Sequence, residues 1–226
     1  MSAENEGFDN FWRDRLKEYP QTEEFQRLFD ELKGELKVPQ RRLSRPVVVS
    51  LIGIPGSGKS TFSTILQEFI PACHLRSDTI GLHRLPKGAD YDYYKAYVIQ
   101  EALARHYLTQ GYSVIMDDNN RTKYNREQTY KLAQSYNALN LLFRLDSPFN
   151  LALERTQTRD REEGREIHSD SQMVNILLMF QKQIEEPDLV ELERFQVFYK
   201  KIDIGKSLSQ IRAELKVDID LQSLVS

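Results

Sequence analysis

From Val47 onward, short apolar runs alternate with longer stretches in which apolar residues recur every three or four positions. The runs near 47–52, 73–77, 113–117, 139–145 and 195–203 have the length and β-branched content of strands. The stretches near 59–69, 91–110, 123–136, 148–159, 171–185 and 207–215 have the period of helices. Strand followed by helix in regular succession is the order of a parallel sheet covered on both faces. The expected class is therefore α/β, with a five-stranded, mainly parallel sheet and helices on both faces. Several boundaries carry their own chemistry: Ser147-Pro148 reads as a cap plus first helical residue, Gly111 as a helix stop and Pro187 as a terminator. Met173, Ile176, Leu177, Phe180 and Ile184 share one helical face, which is expected to pack on the sheet.

Upstream of the sheet, Phe8, Phe11, Trp12, Leu16 and Tyr19 recur at helical spacing until Pro20 interrupts. Phe25, Leu28, Phe29, Leu32 and Leu36 repeat the pattern after Thr22, a cap residue. Two amphipathic helices are thus expected in residues 1–39, as an extension packed against the core rather than a lid. "VPQRRLSRP" reads as a linker whose arginines, Arg41, Arg42 and Arg45, are solvated. The main domain is expected to span 46–216, with 217–226 as a tail.

Composition narrows the class. A chain of 226 residues with 40% hydrophobic content has room for one well-buried domain and an appendage. The single cysteine, Cys73, allows no internal disulfide, and "MSAENEG" has neither a basic flank nor an apolar signal core. The longest apolar run, Val47 to Ile54, is strand length, so a soluble, cytoplasmic protein without membrane association is expected. The net charge of −3 is uneven: residues 1–39 carry 6 Lys+Arg against 10 Asp+Glu, which leaves 25 against 24 in the remainder. Such a core lacks the bulk basic charge of a nonspecific nucleic-acid binder. The four histidines show no metal spacing with Cys73 or with one another.

The candidate chemistry begins at "SLIGIPGSGKSTF", residues 50–62. Gly53 to Ser60 matches G-x-x-x-x-G-K-[ST], with a strand before it and a helix after it. Backbone N–H groups of Gly53, Gly56, Ser57, Gly58 and Thr61 can turn toward a triphosphate, Lys59 can reach the β and γ oxygens, and Ser60 can ligate Mg²⁺. ATP and Mg²⁺ are the expected ligands. "SVIMDDNN" ends a strand with Asp117 and Asp118, at least one of which is expected to serve the metal, the alternative being acidic turn residues. "HLRSDTIG" ends another strand with Asp78, either a base for an acceptor hydroxyl or a helix N-cap. In "LERTQTRDREEGR", Arg155 and Arg159 share a helix face and could close over phosphates, or form an exposed salt-bridged helix end. "YDYYKAY" puts Tyr91, Tyr93, Tyr94 and Tyr97 after Asp78, for helix packing or for stacking a base.

The succession "GIPGSGKST", "RSDTIG", "DDNNRTKYNRE", "ERTQTR" resembles the P-loop kinases that include polynucleotide 5′-hydroxyl kinases, seryl-tRNA kinases and zeta-toxin-like sugar-nucleotide kinases. The resemblance covers about residues 46–203 and implies a P-loop NTPase fold. It also implies Asp78 as general base, Asp118 and Asn120 as organisers of phosphates or acceptor, Arg155 and Arg159 as ATP contacts, and a role for Arg126 beside the nucleotide. Many relatives carry arginine where Gly81 stands, with Arg76 and Arg84 only nearby, and only 23 residues follow Asp203 where seryl-tRNA kinases have a further helical domain. No Asn-Lys-x-Asp guanine-reading motif and no Leu-Ser-Gly-Gly signature occurs. The expected activity is transfer of the γ-phosphoryl group of ATP to an alcohol. The acceptor leans toward a polynucleotide or RNA hydroxyl, on motif order, Arg126, the linker arginines and the aromatic run. The alternatives are a small-molecule (sugar, nucleoside or antibiotic) kinase and a regulatory P-loop NTPase.

Overall fold

Val47–Ile52 (β1) buries all six of its residues, which suits a strand with neighbours on both sides and helices on both faces. In the computed structural model, which describes residues 16–83, 92–163 and 168–218, β1 is the middle of a five-stranded sheet of order β2-β3-β1-β4-β5. The other strands are Ala72–Arg76 (β2), Ser113–Asp117 (β3), Leu139–Asp146 (β4) and Val197–Asp203 (β5). Every pairing is parallel, with Val48 opposite Val114 on one side and Val47 opposite Leu139 on the other. All strands therefore end at one edge.

The helices are Glu23–Glu35 (α1), Lys59–Leu66 (α2), Ser77–His83 (α3), Asp92–Thr109 (α4), Lys123–Ser135 (α5), Phe149–Glu162 (α6), Asp170–Lys182 (α7), Leu189–Arg194 (α8) and Leu208–Asp218 (α9). Alternation along the strands splits the core. Val48, Cys73, Leu75, Val114 and Met116 meet α4 and α1 on one face, whereas Val47, Val49, Leu51, Ile115 and Phe143 meet α2 and α9 on the other. At about 1.5–3 kcal/mol for each large apolar side chain removed from water, these two layers supply most of the driving force.

Several boundaries follow local rules. Gly111, at φ +78°, ends α4: its N–H reaches the Leu108 carbonyl at 2.9 Å and that of Tyr112 the Tyr107 carbonyl at 3.0 Å. At α6 it is Pro148, not Ser147, that occupies the N-cap. Of the two expected N-terminal helices, α1 is present, capped by Thr22 and packed on α4 through Phe25, Leu28 and Leu32. The Lys95 ammonium of α4 reaches Glu24 at 2.9 Å. Phe8, Phe11 and Trp12, on which the other helix rests, lie outside the described residues, as does most of the 217–226 tail.

One packing expectation changes and one helix was not anticipated. Of the face around Met173, Ile184 packs against the cluster of Ile52, Tyr130, Leu142 and Phe195 on the sheet, whereas α7 lies against α6 and Met173, Ile176 and Phe180 line a cleft at the strand ends. The segment before β5 adds α8, a helix of six residues whose Leu189 and Val190 are exposed, so no amphipathic period announces it.

Candidate active site

The phosphate loop runs from the end of β1 into α2, and its glycines are imposed by space. A Cβ on Gly56, at φ +75°, would lie 2.1 Å from the Ala152 carbonyl of α6, and Gly58, at φ +86°, is the left-handed cap from which α2 starts. The first N–H groups of α2 have no partner within the helix, and with the helix dipole they form an anion cradle. Lys59 donates to the Gly53 and Ile54 carbonyls at 2.8 and 3.1 Å. Burial pushes its ammonium down, and the charges of Asp117, Asp78 and Asp118 oppose that.

Those three carboxylates arrive from two neighbouring strand ends. Asp117 closes β3, beside Arg76 of β2, and its Oδ2 accepts from His74 Nε2 at 2.8 Å, with Arg76 Nε at 3.9 Å. Burial acts to raise its carboxyl, but the His74 hydrogen bond, the Lys59 charge and a hydrogen bond from Ser60 outweigh it and hold the group below its usual range. Asp118 accepts the Asn120 N–H at 3.0 Å, yet burial and the Asp117 charge push it up to about 7. Asp78 lies in the first turn of α3, whose first residue is Ser77, so it is not the residue preceding the helix.

A cleft of about 880 Å³ gathers Gly56, Gly58, Lys59, Ser60, Thr61, Asp78, Asp117, Asp118, Arg155 and Arg159. Arg76, Arg121 and His168 also line it, and Arg121 sits 4.5 Å above the Phe180 ring of α7. A smaller pocket of about 290 Å³ opens past Gly58, Thr61 and Arg155 toward Phe62, Ile204 and Ile211. On the opposite side a cavity of about 170 Å³ shares Tyr94, Tyr97, Asp118, Asn119 and Arg121 with the cleft. Tyr91 and the Tyr93 side chain lie outside the described residues, as do Arg84 and Arg165.

Four of the sequence-predicted residues sit elsewhere. The Ser57 side chain is fully buried, its hydroxyl turned toward Gly53, and neither residue lines the cleft. Asn120 borders the 170 Å³ cavity instead. Arg126 is buried and forked onto Glu191 at 2.7 and 2.8 Å, its remaining nitrogen bonding the Arg121 and Glu185 carbonyls, which leaves no donor fork for a nucleotide. Conversely, His74 and Arg121 were given no role from the sequence. The first is visible only through register, since it lies opposite Ile115 and so two positions from Asp117 on the same face.

Residues 48–182 match the model of the AAA_33 family, described as AAA domain. The chain belongs to this family. The match begins within β1 and takes in the phosphate loop, Asp78, Asp117, Asp118 and α6, and so covers most of the residues that line the cleft. No curated protein gives a significant match. Among solved structures, a candidate kinase from Chloroflexus aurantiacus superposes at TM-score 0.58 and 18% identity, over 77% of this chain and 99% of that one. A chain of the PezAT toxin–antitoxin system of Streptococcus pneumoniae gives 0.60 at 17%, over 82% and 80%. A gluconokinase from Sinorhizobium meliloti gives 0.51 at 18%, over 81% and 99%. At these identities the likeness is one of fold. Among the described residues no helix is long and apolar enough to cross a membrane.

Proposed function

We propose that this AAA_33 protein is a kinase that moves the γ-phosphoryl group of ATP to the hydroxyl of a small molecule. The observation that carries the reading is the convergence of Lys59, Asp78, Asp117 and Asp118 on one cleft at the anion-binding end of α2. A nucleoside would occupy the 290 Å³ pocket, its phosphates curling under Lys59 toward the carboxylates. Mg²⁺ suits the hard oxygen donors at hand, the Ser60 hydroxyl and Asp117, and Asp117 already accepts from Ser60. Among the described residues no group of three or more His, Cys, Asp or Glu could cage a metal alone, in keeping with an ion completed by phosphate oxygens and water. When bound, the ion would neutralise charge on the β and γ oxygens.

The residues then divide the work. Asp78 takes the proton of the acceptor hydroxyl as that oxygen bonds to the γ phosphorus, the bond from phosphorus to the bridging oxygen breaks, and ADP leaves with the electron pair. Lys59, Arg155 and Arg159 face the charge that develops on the transferred group. His74 orients Asp117 and keeps it ionised.

A small acceptor is favoured over a polynucleotide because the basic residues that suggested nucleic acid are engaged elsewhere. Arg42 lies 4.3 Å over the Tyr112 ring and Arg45 donates to the Asn137 carbonyl at 2.8 Å. Tyr112 and Asn137 precede β3 and β4, at the sheet edge opposite the cleft. Arg126 is closed onto Glu191. The test is ADP formation from Mg·ATP alone and with sugars, nucleosides and 5′-hydroxyl oligonucleotides. Stimulation by a small hydroxyl compound and not by oligonucleotides is expected. Turnover that no hydroxyl compound alters would indicate an NTPase switch, and transfer to oligonucleotides would restore the polynucleotide reading.

A further inference from the structure

We propose that the 170 Å³ cavity behind Asp118 receives the body of the acceptor, that it suits an uncharged sugar-sized ring or polyol, and that the N-terminal extension forms part of its wall. The proposal rests on the phosphoryl-transfer reading of the cleft. Because Tyr97, Asp118 and Asn119 border both spaces, a molecule seated in the cavity presents its edge to the reacting carboxylates.

The chemistry of the lining sets the class of ligand. Four of the polar side chains that line it, Asn120, Asn125, Gln128 and Tyr124, are neutral. Asn120 is only 5% exposed and its Oδ1 accepts from Thr129 at 3.4 Å, which fixes the amide at the edge of the cavity. An anionic group would instead meet Glu101 and Asp118, with Arg121, held on the Phe180 ring, the one cation among the described residues of the lining. At about 170 Å³ the space is much smaller than the 880 Å³ cleft it adjoins, which suits a single ring.

Leu16, which closes the cavity from the extension side, precedes the segment matched by the family by more than the whole of α1. It is buried in the same apolar cluster as Tyr19, Phe25 and Leu132, so α1 and the turn before it hold that wall in place. The extension therefore adds to a common nucleotide frame a specificity element of its own.

The experiment is calorimetric binding of D-ribose, D-glucose, myo-inositol and adenosine, and of their phosphate monoesters, to the full chain with Mg²⁺ and a non-hydrolysable ATP analogue. Wild type is compared with Leu16→Trp, which fills the cavity, and Gln128→Leu, which removes a polar edge, each checked by thermal melting. At least one neutral compound is expected to bind, its ester at least tenfold more weakly, with affinity at least tenfold lower in either folded variant. The assignment is overturned if no neutral compound binds, if an ester binds as tightly as its parent, or if a folded Leu16→Trp protein binds like wild type. Binding as expected without transfer to the bound compound would support the cavity while overturning the kinase reading.

Discussion

Lys59 joins the phosphate loop to the three carboxylates, and substitution there separates chemistry from folding. In Lys59→Ala two hydrogen bonds to loop carbonyls disappear together with an enclosed charge, so stability should change by no more than about 1 kcal/mol. Phosphoryl transfer should be abolished, and wild-type turnover in the folded variant would remove Lys59 from the mechanism. For Asp78→Asn the expected loss is about 10²–10⁴-fold in kcat with KM for ATP little changed, since the group faces the acceptor. A lower melting temperature with normal turnover would assign Asp78 to helix stability instead. Asp118 gives a pH signature in the metal-free protein. Its carboxyl keeps its proton up to about 7 when folded but releases it near 3.8 when unfolded. Between those values the folded chain binds more protons, so this group's contribution is full below the unfolded value and is lost as pH rises through 7. Melting curves from pH 4 to 8 should show Asp118→Asn gaining on wild type as pH rises, and parallel curves would contradict the raised carboxyl.

At the scale of elements, Arg126 and Glu191 tie α5, the loop after β3 and α8 into one unit. Tyr130 adds a hydrogen bond to Glu191 at 3.0 Å, and the Arg126 guanidinium also donates to the Arg121 carbonyl of the loop after β3 and to the Glu185 carbonyl after α7. Arg126→Ala would leave Glu191 buried and unpaired, at a cost of about 3–5 kcal/mol. A marked fall in melting temperature, with KM for ATP within a few-fold of wild type well below the melt, is expected; an unchanged melt with lost ATP affinity would make Arg126 a nucleotide contact. Local pattern was enough to read the elements whose signals are local. The strands are apolar runs, Gly111 is an αL stop, and the phosphate loop is a contiguous motif with its glycines at fixed places. It failed where a tertiary partner decides. Met173, Ile176 and Phe180 of α7 line a cleft while only Ile184 beyond it reaches the sheet cluster, and α8 is too short to show a period. Arg126 turns inward because Glu191, 65 residues away, meets it.

Over the whole molecule, parallel strands deliver Gly53, Ser77 and Asp117 to one edge, and the helices between them enclose three connected spaces there. Strand order, which no short-range pattern encodes, is what sets Asp117 beside β2 and both near the phosphate loop. The candidate residues were legible as a succession of strand ends; their distribution over three adjoining spaces of about 290, 880 and 170 Å³ was not. That division makes a single claim about chemistry, that the terminal phosphoryl group leaves ATP for a hydroxyl held on the far side of Asp118. The measurement closest to it uses ATP labelled with ¹⁸O on the γ-phosphoryl oxygens, incubated with the protein, Mg²⁺ and neutral sugars or nucleosides, with mass spectrometry of every phosphorylated product. The account predicts label in a sugar or nucleoside monoester, formed by wild type and lost in Asp78→Asn. Label found only in inorganic phosphate, at the same rate in both proteins, would contradict it.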